Sequence, residues 1–173
     1  MKSTNEKVRL LTLTGILTAL TTVATIVIQI PTPTKGYVNL GDVLVNISAW
    51  ILGGTYGAAA GGIGSAFADI ITGYAIYAPA TLIIKALMAW ACFHVHGICA
   101  KKFDSTASRI VSVIVSETIM IVGYDIFTGF MYHSVQSAIL AIPEFAIQGI
   151  MGATVSVVLY ECILKRVPAL KHK

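Results

Sequence analysis

The sequence predicts an all-α integral membrane protein, a bundle of six transmembrane helices with both termini cytoplasmic. Three observations predict it. Hydrophobic residues make up 56% of the 173-residue chain and charged residues only 12%, with a mean hydropathy of +0.82, so water cannot be its main solvent. Ten of the 12 Lys and Arg residues gather in three segments: Lys2, Lys7 and Arg9; Lys101, Lys102 and Arg109; Lys165, Arg166, Lys171 and Lys173. Basic groups collect on cytoplasmic flanks, so front, middle and back segments on one side require an even number of crossings. At roughly 20 to 25 residues per crossing the length accommodates about six helices and a single domain over 1–173.

Helix 1 is predicted from Val8 to Ile30, where Pro31 and Pro33 end it because proline cannot donate to the helical ladder. The run is too long for a signal-peptide core and lacks an A-x-A-like cleavage site, so it reads as a retained helix. An outer loop follows over 31–38. Helix 2 begins near Asn39, which is placed to be its N-cap, and ends at Gly53 and Gly54. Helix 3 runs over Gly57–Thr72. Both are close to the shortest span that crosses a bilayer, which predicts tilt or shielding by neighbours. Gly53, Gly57, Gly61, Ser65 and Asp69 recur every four residues, and Gly15 with Ala19, and Gly149 with Ala153, repeat the spacing. Small residues so spaced let backbones approach closely in lipid. On helix 3 this predicts internal packing; on helix 1, internal packing and docking to another membrane protein are both open. An outer turn over Gly73–Pro79 leads into helix 4, Ala80–Ala100, and a basic inner loop, Lys101–Ser108, into helix 5, Arg109–Met131. Helix 6 runs from about Pro143, or slightly earlier, to Leu164.

An ionisable group at the bilayer centre costs roughly 2.5 to 3.5 kcal/mol on insertion scales, so each one needs a reason. Asp42, Asp69, Lys85, Asp125 and Glu144 fall in the outer half of the predicted bundle, and Glu117 near the middle. By helical phase Asn39, Asp42 and Asn46 share one face, as do Thr81 and Lys85, Glu117, Tyr124 and Thr128, and Glu144 and Gln148. Lipid will not solvate such stripes, so they meet inside. Tyr37, Tyr74, Tyr77, Tyr124 and Tyr132 add aromatic surface on the outer side. The polar stripes predict a cavity open to the outside; the tyrosines suit stacking on a flat ring, with anchoring at the outer membrane interface equally open for any one of them. Lys85 is expected to pair with Asp69, Asp125 or Glu117, to touch substrate, or both; Asp42 is expected to cap or pair at a helix start.

Several functions lose support. No G-x-x-x-x-G-K-[ST] is present, so the chain has no P-loop with which to use ATP, and any ATP is used by a partner. Around Ser65 the G-x-S order of intramembrane serine proteases is missing. Cys92, His94, His96 and Cys99 lie at the inner end of helix 4 without a carboxylate, which favours packing over a metal site. Topology accounts for the basic pI, so no nucleic-acid partner is expected; with no ATPase motif neither an enzyme nor a cofactor is expected, and Cys92, Cys99 and Cys162, all in apolar helical stretches, indicate no disulfide framework.

The segments 36–42 (Gly-Tyr-Val-Asn-Leu-Gly-Asp) and 68–85 (from Ala68 through Asp69, Tyr74, Tyr77 and Pro79 to Lys85), with Glu117, Gly123-Tyr124 and Gln148-Gly149, resemble the substrate-binding S components of energy-coupling factor (ECF) vitamin transporters. They are most similar to the riboflavin, hydroxymethylpyrimidine or pyridoxine-like branch. The resemblance implies a multi-pass subunit of a Gram-positive-type cell membrane, with a vitamin held in an outward pocket closed by the loop between helices 1 and 2. It also implies a transmembrane coupling (T) subunit and two ATPase subunits, docking through small residues of helix 1, here Gly15 and Ala19, and toppling of the subunit during transport. The substrate-binding set is expected among Tyr37, Asn39, Asp69, Tyr74, Tyr77, Lys85, Glu117, Tyr124, Asp125, Glu144 and Gln148. Their surplus of acceptors suits a neutral or cationic ring, hydroxymethylpyrimidine or pyridoxine rather than a phosphorylated compound, with riboflavin inside the same branch. The rival expectation is a self-sufficient proton-coupled secondary carrier using Glu117 or Asp125.

Overall fold

A computed structural model describes residues 4–32 and 37–167; Lys2, Pro33, Lys35, Gly36, Lys171 and Lys173 lie outside the described residues. Its elements are α1 (Thr4–Val27), β1 (Gln29–Pro31), β2 (Tyr37–Asn39), α2 (Gly41–Leu52), α3 (Gly54–Ile71), α4 (Ala78–Cys99), α5 (Ser105–Met131), α6 (Val135–Cys162) and a 3-10 turn over Leu164–Arg166. The six helices pack into one bundle whose outer surface is itself apolar: Ile71, Ile98, Ile126, Phe130 and Ile150 are each more than 60% exposed. Such a surface suits lipid and not water. The helices α1, α4, α5 and α6 are long and apolar enough to cross a membrane.

Helix α2 is different. Eleven of its 12 residues are buried, and it is surrounded by α1, α3, α4 and α6. At about 1.5 Å per residue it is roughly 18 Å long, well short of a 30 Å hydrocarbon core. It needs no lipid-facing length because its neighbours enclose it, which is the shielding that its short sequence span predicts. A single residue, Gly53 at φ 87°, joins it to α3. That left-handed conformation favours glycine and turns the chain back on itself. The four-residue stripe of α3 then faces α2. A Cβ on Gly57 would lie 2.8 Å from Ala49 Cα and 2.9 Å from the Ser48 carbonyl oxygen, and one on Gly61 would lie 3.1 Å from Val45. The other side of α3 meets α1, where a Cβ on Gly64 would lie 2.6 Å from the Thr18 carbonyl oxygen, and Thr22 Oγ1 donates to the Gly64 carbonyl at 2.8 Å.

The element boundaries correct the sequence reading in four places. Helix 1 stops at Val27, and Gln29–Pro31 and Tyr37–Asn39 form a two-stranded antiparallel hairpin that pairs Gln29 with Asn39, Ile30 with Val38 and Pro31 with Tyr37. Asn39 is not the N-cap of α2; Leu40 is, although Asn39 Oδ1 accepts from the Gly41 N–H at 2.8 Å. Helix α5 begins at Ser105, because the Asp104 carboxylate accepts from the Thr106 and Ala107 N–H groups. Helix α6 begins at Val135 and carries Pro143 inside it.

Arg109, one of the basic residues assigned to the inner side, is 9% exposed. Its guanidinium lies 4.0 Å from the Tyr160 ring centroid and 5.9 Å from that of Trp50, and its Nη1 donates to Glu161 Oε1 at 2.6 Å. Trp50 Nε1 donates to Ser112 Oγ at 3.2 Å. The stacked, ion-paired arginine therefore ties the end of α2 to α5 and α6, a use that lysine serves poorly.

Candidate functional site

The polar stripes meet at the end of the bundle that carries the hairpin. Tyr37, Asn39, Asp69, Tyr74, Tyr77, Tyr124, Glu144 and Gln148 line one cavity there, together with Thr128 and Phe145. Eight of the eleven expected residues thus come together from β2, α3, the α3–α4 turn, α5 and α6. The rings meet mostly edge to face: Tyr37 and Tyr74 at 4.8 Å between centroids, Tyr74 and Tyr77 at 6.2 Å, Tyr77 and Phe127 at 5.5 Å. Tyr124 and Phe145 stack at 5.5 Å. Such walls offer both ring faces and ring edges to a flat guest. Thr128 shares the Tyr124 stripe and was legible by phase. Phe145 was not, because an apolar residue in an apolar helix gives no contrast.

The hairpin roofs the cavity and is tied down on two sides. Toward α3, Gln29 Nε2 donates to Thr72 Oγ1 at 3.3 Å and the Tyr37 hydroxyl donates to Asp69 Oδ1. Burial, and then the Asp69 charge, push the Tyr37 phenol well above its ordinary pKa, so it remains a donor. Toward α6, the Asn39 N–H and Nδ2 both donate to Gln148 Oε1, at 3.0 and 3.3 Å.

Beneath the cavity lies a second polar layer. Gln148 Nε2 donates to Asp42 Oδ2 at 2.7 Å, and Asp42 Oδ1 is ion-paired with Lys85. The partner of Lys85 is therefore Asp42 on α2, not one of the three acids expected from the sequence. Both are buried, at 2% and 0% exposure. Lys85 and Glu117 do not line the cavity. Glu117 Oε1 accepts from Asn46 Nδ2 at 2.8 Å, and Asn46 Oδ1 accepts from Ser116 at 2.7 Å. Helix α6 reaches this layer at Gly152, where a Cβ would lie 2.7 Å from Glu117 Oε1 and 3.0 Å from Asp42 Cβ. Asp125 sits elsewhere, in a shallow groove with Gly129, His133, Ser134 and Ala138. Gly15 and Ala19 are exposed on α1, and nothing lies within 4 Å of where a Gly15 Cβ would be.

An apolar bundle with a sealed polar floor and an aromatic, acceptor-rich chamber at one end has the build of a membrane-embedded binding protein. Residues 5–165 match the family model of the ECF-type riboflavin transporter, S component, and the chain belongs to that family of membrane-embedded substrate-binding subunits. A solved structure described as the S component of a bacterial ECF transporter superposes with a TM-score of 0.69 over 92% of this chain and 97% of that one, at 19% identity; the fold is shared. An uncharacterized protein of Pyrococcus woesei is 46% identical over 65 residues, 37% of this chain, and the chain spans 43% of that protein's length.

Proposed function

We propose that this chain captures a small hydroxyl- or amino-bearing heteroaromatic vitamin from outside the cell, pyridoxine or hydroxymethylpyrimidine, for an ATP-driven importer. The observation that carries the reading is the cavity wall: four tyrosines and Phe145 for a ring, with Asn39, Asp69, Glu144 and Gln148 to meet its donors. Among the described residues the lining holds two carboxylates and no cation, which favours a neutral or cationic guest over a phosphorylated one. In this reading the bundle crosses the cell membrane six times with both termini cytoplasmic. ATP is hydrolysed by two ATPase subunits acting through a T subunit that docks on the exposed Gly15–Ala19 face of α1. The family's description favours riboflavin as a second ligand reading.

Titration calorimetry of the detergent-purified protein, with no ATP, separates them. Submicromolar binding of pyridoxine or hydroxymethylpyrimidine is expected, weakened about tenfold or more by Asp69→Asn or Glu144→Gln through loss of a charge-assisted hydrogen bond. Tight riboflavin binding alone moves the substrate to the flavin, and weak binding of all three removes the vitamin reading. The rival proton-coupled carrier draws on Glu117 or Asp125, whose Oε2 and Oδ1 are buried with no hydrogen-bond partner among the described residues. It requires gradient-driven uptake in vesicles holding this chain alone.

A further inference from the structure

We propose that Gln148 is the positioning residue that latches the hairpin over the cavity, and that the Asp42–Lys85 pair sets its orientation. The proposal rests on the cavity being the ligand site. That cavity measures about 40 Å³, room for a few water molecules, whereas ligand pockets run to roughly 300 Å³ and more. A vitamin therefore enters only after part of the wall moves. The helices around it are braced by the Asp42–Lys85 pair, by Tyr124 on Thr81 at 2.9 Å, and by glycine contacts that leave no slack. The hairpin is the lightest part of the wall: two strands of three residues each.

Its two attachments are unequal. Toward α3 it is held by separate residues, Gln29 on Thr72 and Tyr37 on Asp69, with the Tyr37–Tyr74 ring contact behind them. Toward α6, among the described residues, both of its hydrogen bonds end on one atom, Gln148 Oε1. That amide cannot turn freely, because its Nε2 is committed to Asp42 Oδ2 at 2.7 Å, and Asp42 is fixed in turn by Lys85. Gln148 is 2% exposed, so its bonds form away from competing water. Releasing one side chain frees the α6 edge and leaves the α3 edge as the hinge. Gln148 also lines the cavity, so a guest that bonds to it acts on the latch directly.

Two readouts test this. In a background with Cys92, Cys99 and Cys162 replaced by alanine, Val38→Cys places a thiol on β2, where Val38 is 8% exposed, and its maleimide labelling rate without ligand reports hairpin opening. Gln148→Met, similar in length and without an amide, should label about tenfold faster, the effect of losing one or two net hydrogen bonds. Gln148→Glu, which keeps an acceptor for Asn39 but turns a second oxygen toward Asp42, is the second variant if Gln148→Met does not fold, and should also label faster. Stopped-flow binding of pyridoxine, hydroxymethylpyrimidine or riboflavin, whichever the protein takes, should show association and dissociation rates rising together. Unchanged labelling overturns the latch, as does faster dissociation with association unaltered, the signature of a ligand contact only. Should none of the three compounds bind, the ligand reading falls while the labelling result still decides the latch.

Discussion

Replacing Lys85 by methionine alone should lower the melting temperature of the detergent-solubilised protein by on the order of 10 °C. The reasoning is electrostatic. Asp42 and Lys85 are both withdrawn from solvent, and deleting the ammonium strands a carboxylate among Gln148, Asn46 and Glu117 with no cation to answer it. Removing one partner of a buried pair costs about 3–5 kcal/mol, and for a chain of this size each kcal/mol shifts the midpoint by roughly 2–4 °C. The double variant Asp42→Asn/Lys85→Met should recover most of the loss, since an amide at 42 can still accept from Gln148 and no charge is left uncompensated. Thermal scans of intrinsic tryptophan fluorescence read both. A single variant as stable as the parent, or a double variant no better than the single, would show that the pair is not what holds α2 to α4.

The second large effect is steric. Gly57→Ala and Gly64→Ala should each destabilise the bundle by about 1–3 kcal/mol, because the added methyl meets backbone and not a side chain that can swing aside. At Gly57 it would press on Ala49 Cα and the Ser48 carbonyl oxygen, forcing α2 and α3 apart; at Gly64 it would press on the Thr18 carbonyl oxygen, forcing α3 from α1. Gly15→Ala is the control. Its Cβ would enter open space, so folding should be unaffected and any deficit should appear only when the protein assembles with partners. Equal melting temperatures for all three variants would refute the close-approach account.

These two regions also show what the sequence could and could not tell. The α3 stripe was legible because close packing in lipid selects small residues at a fixed period, and the period survives in the sequence. Asp42 and Lys85 were each legible as residues that must be satisfied, and phase placed each on an inward face. Their pairing was not, because phase fixes the direction of a side chain on its own helix and says nothing of which neighbour stands opposite. The hairpin escaped for a different reason. Strands of three residues are too short to show alternation, and two prolines after an apolar run signal a helix end with equal force. Pro143 misplaced the start of α6 because its usual role as a breaker weakens inside a bundle, where neighbours can satisfy the freed backbone groups.

The enclosure of α2 separates the ligand chamber's foundation from the bilayer's mechanics. Stretching or thinning the membrane acts on surfaces that touch acyl chains, and α2, which carries Asp42 and Asn46, presents almost none. Mismatch strain should fall on α1, α4, α5 and α6 and dissipate as tilt. Ligand affinity measured in nanodiscs of short-chain and of long-chain lipid should therefore agree within about twofold, a buffered binding subunit that works alike in membranes of different thickness.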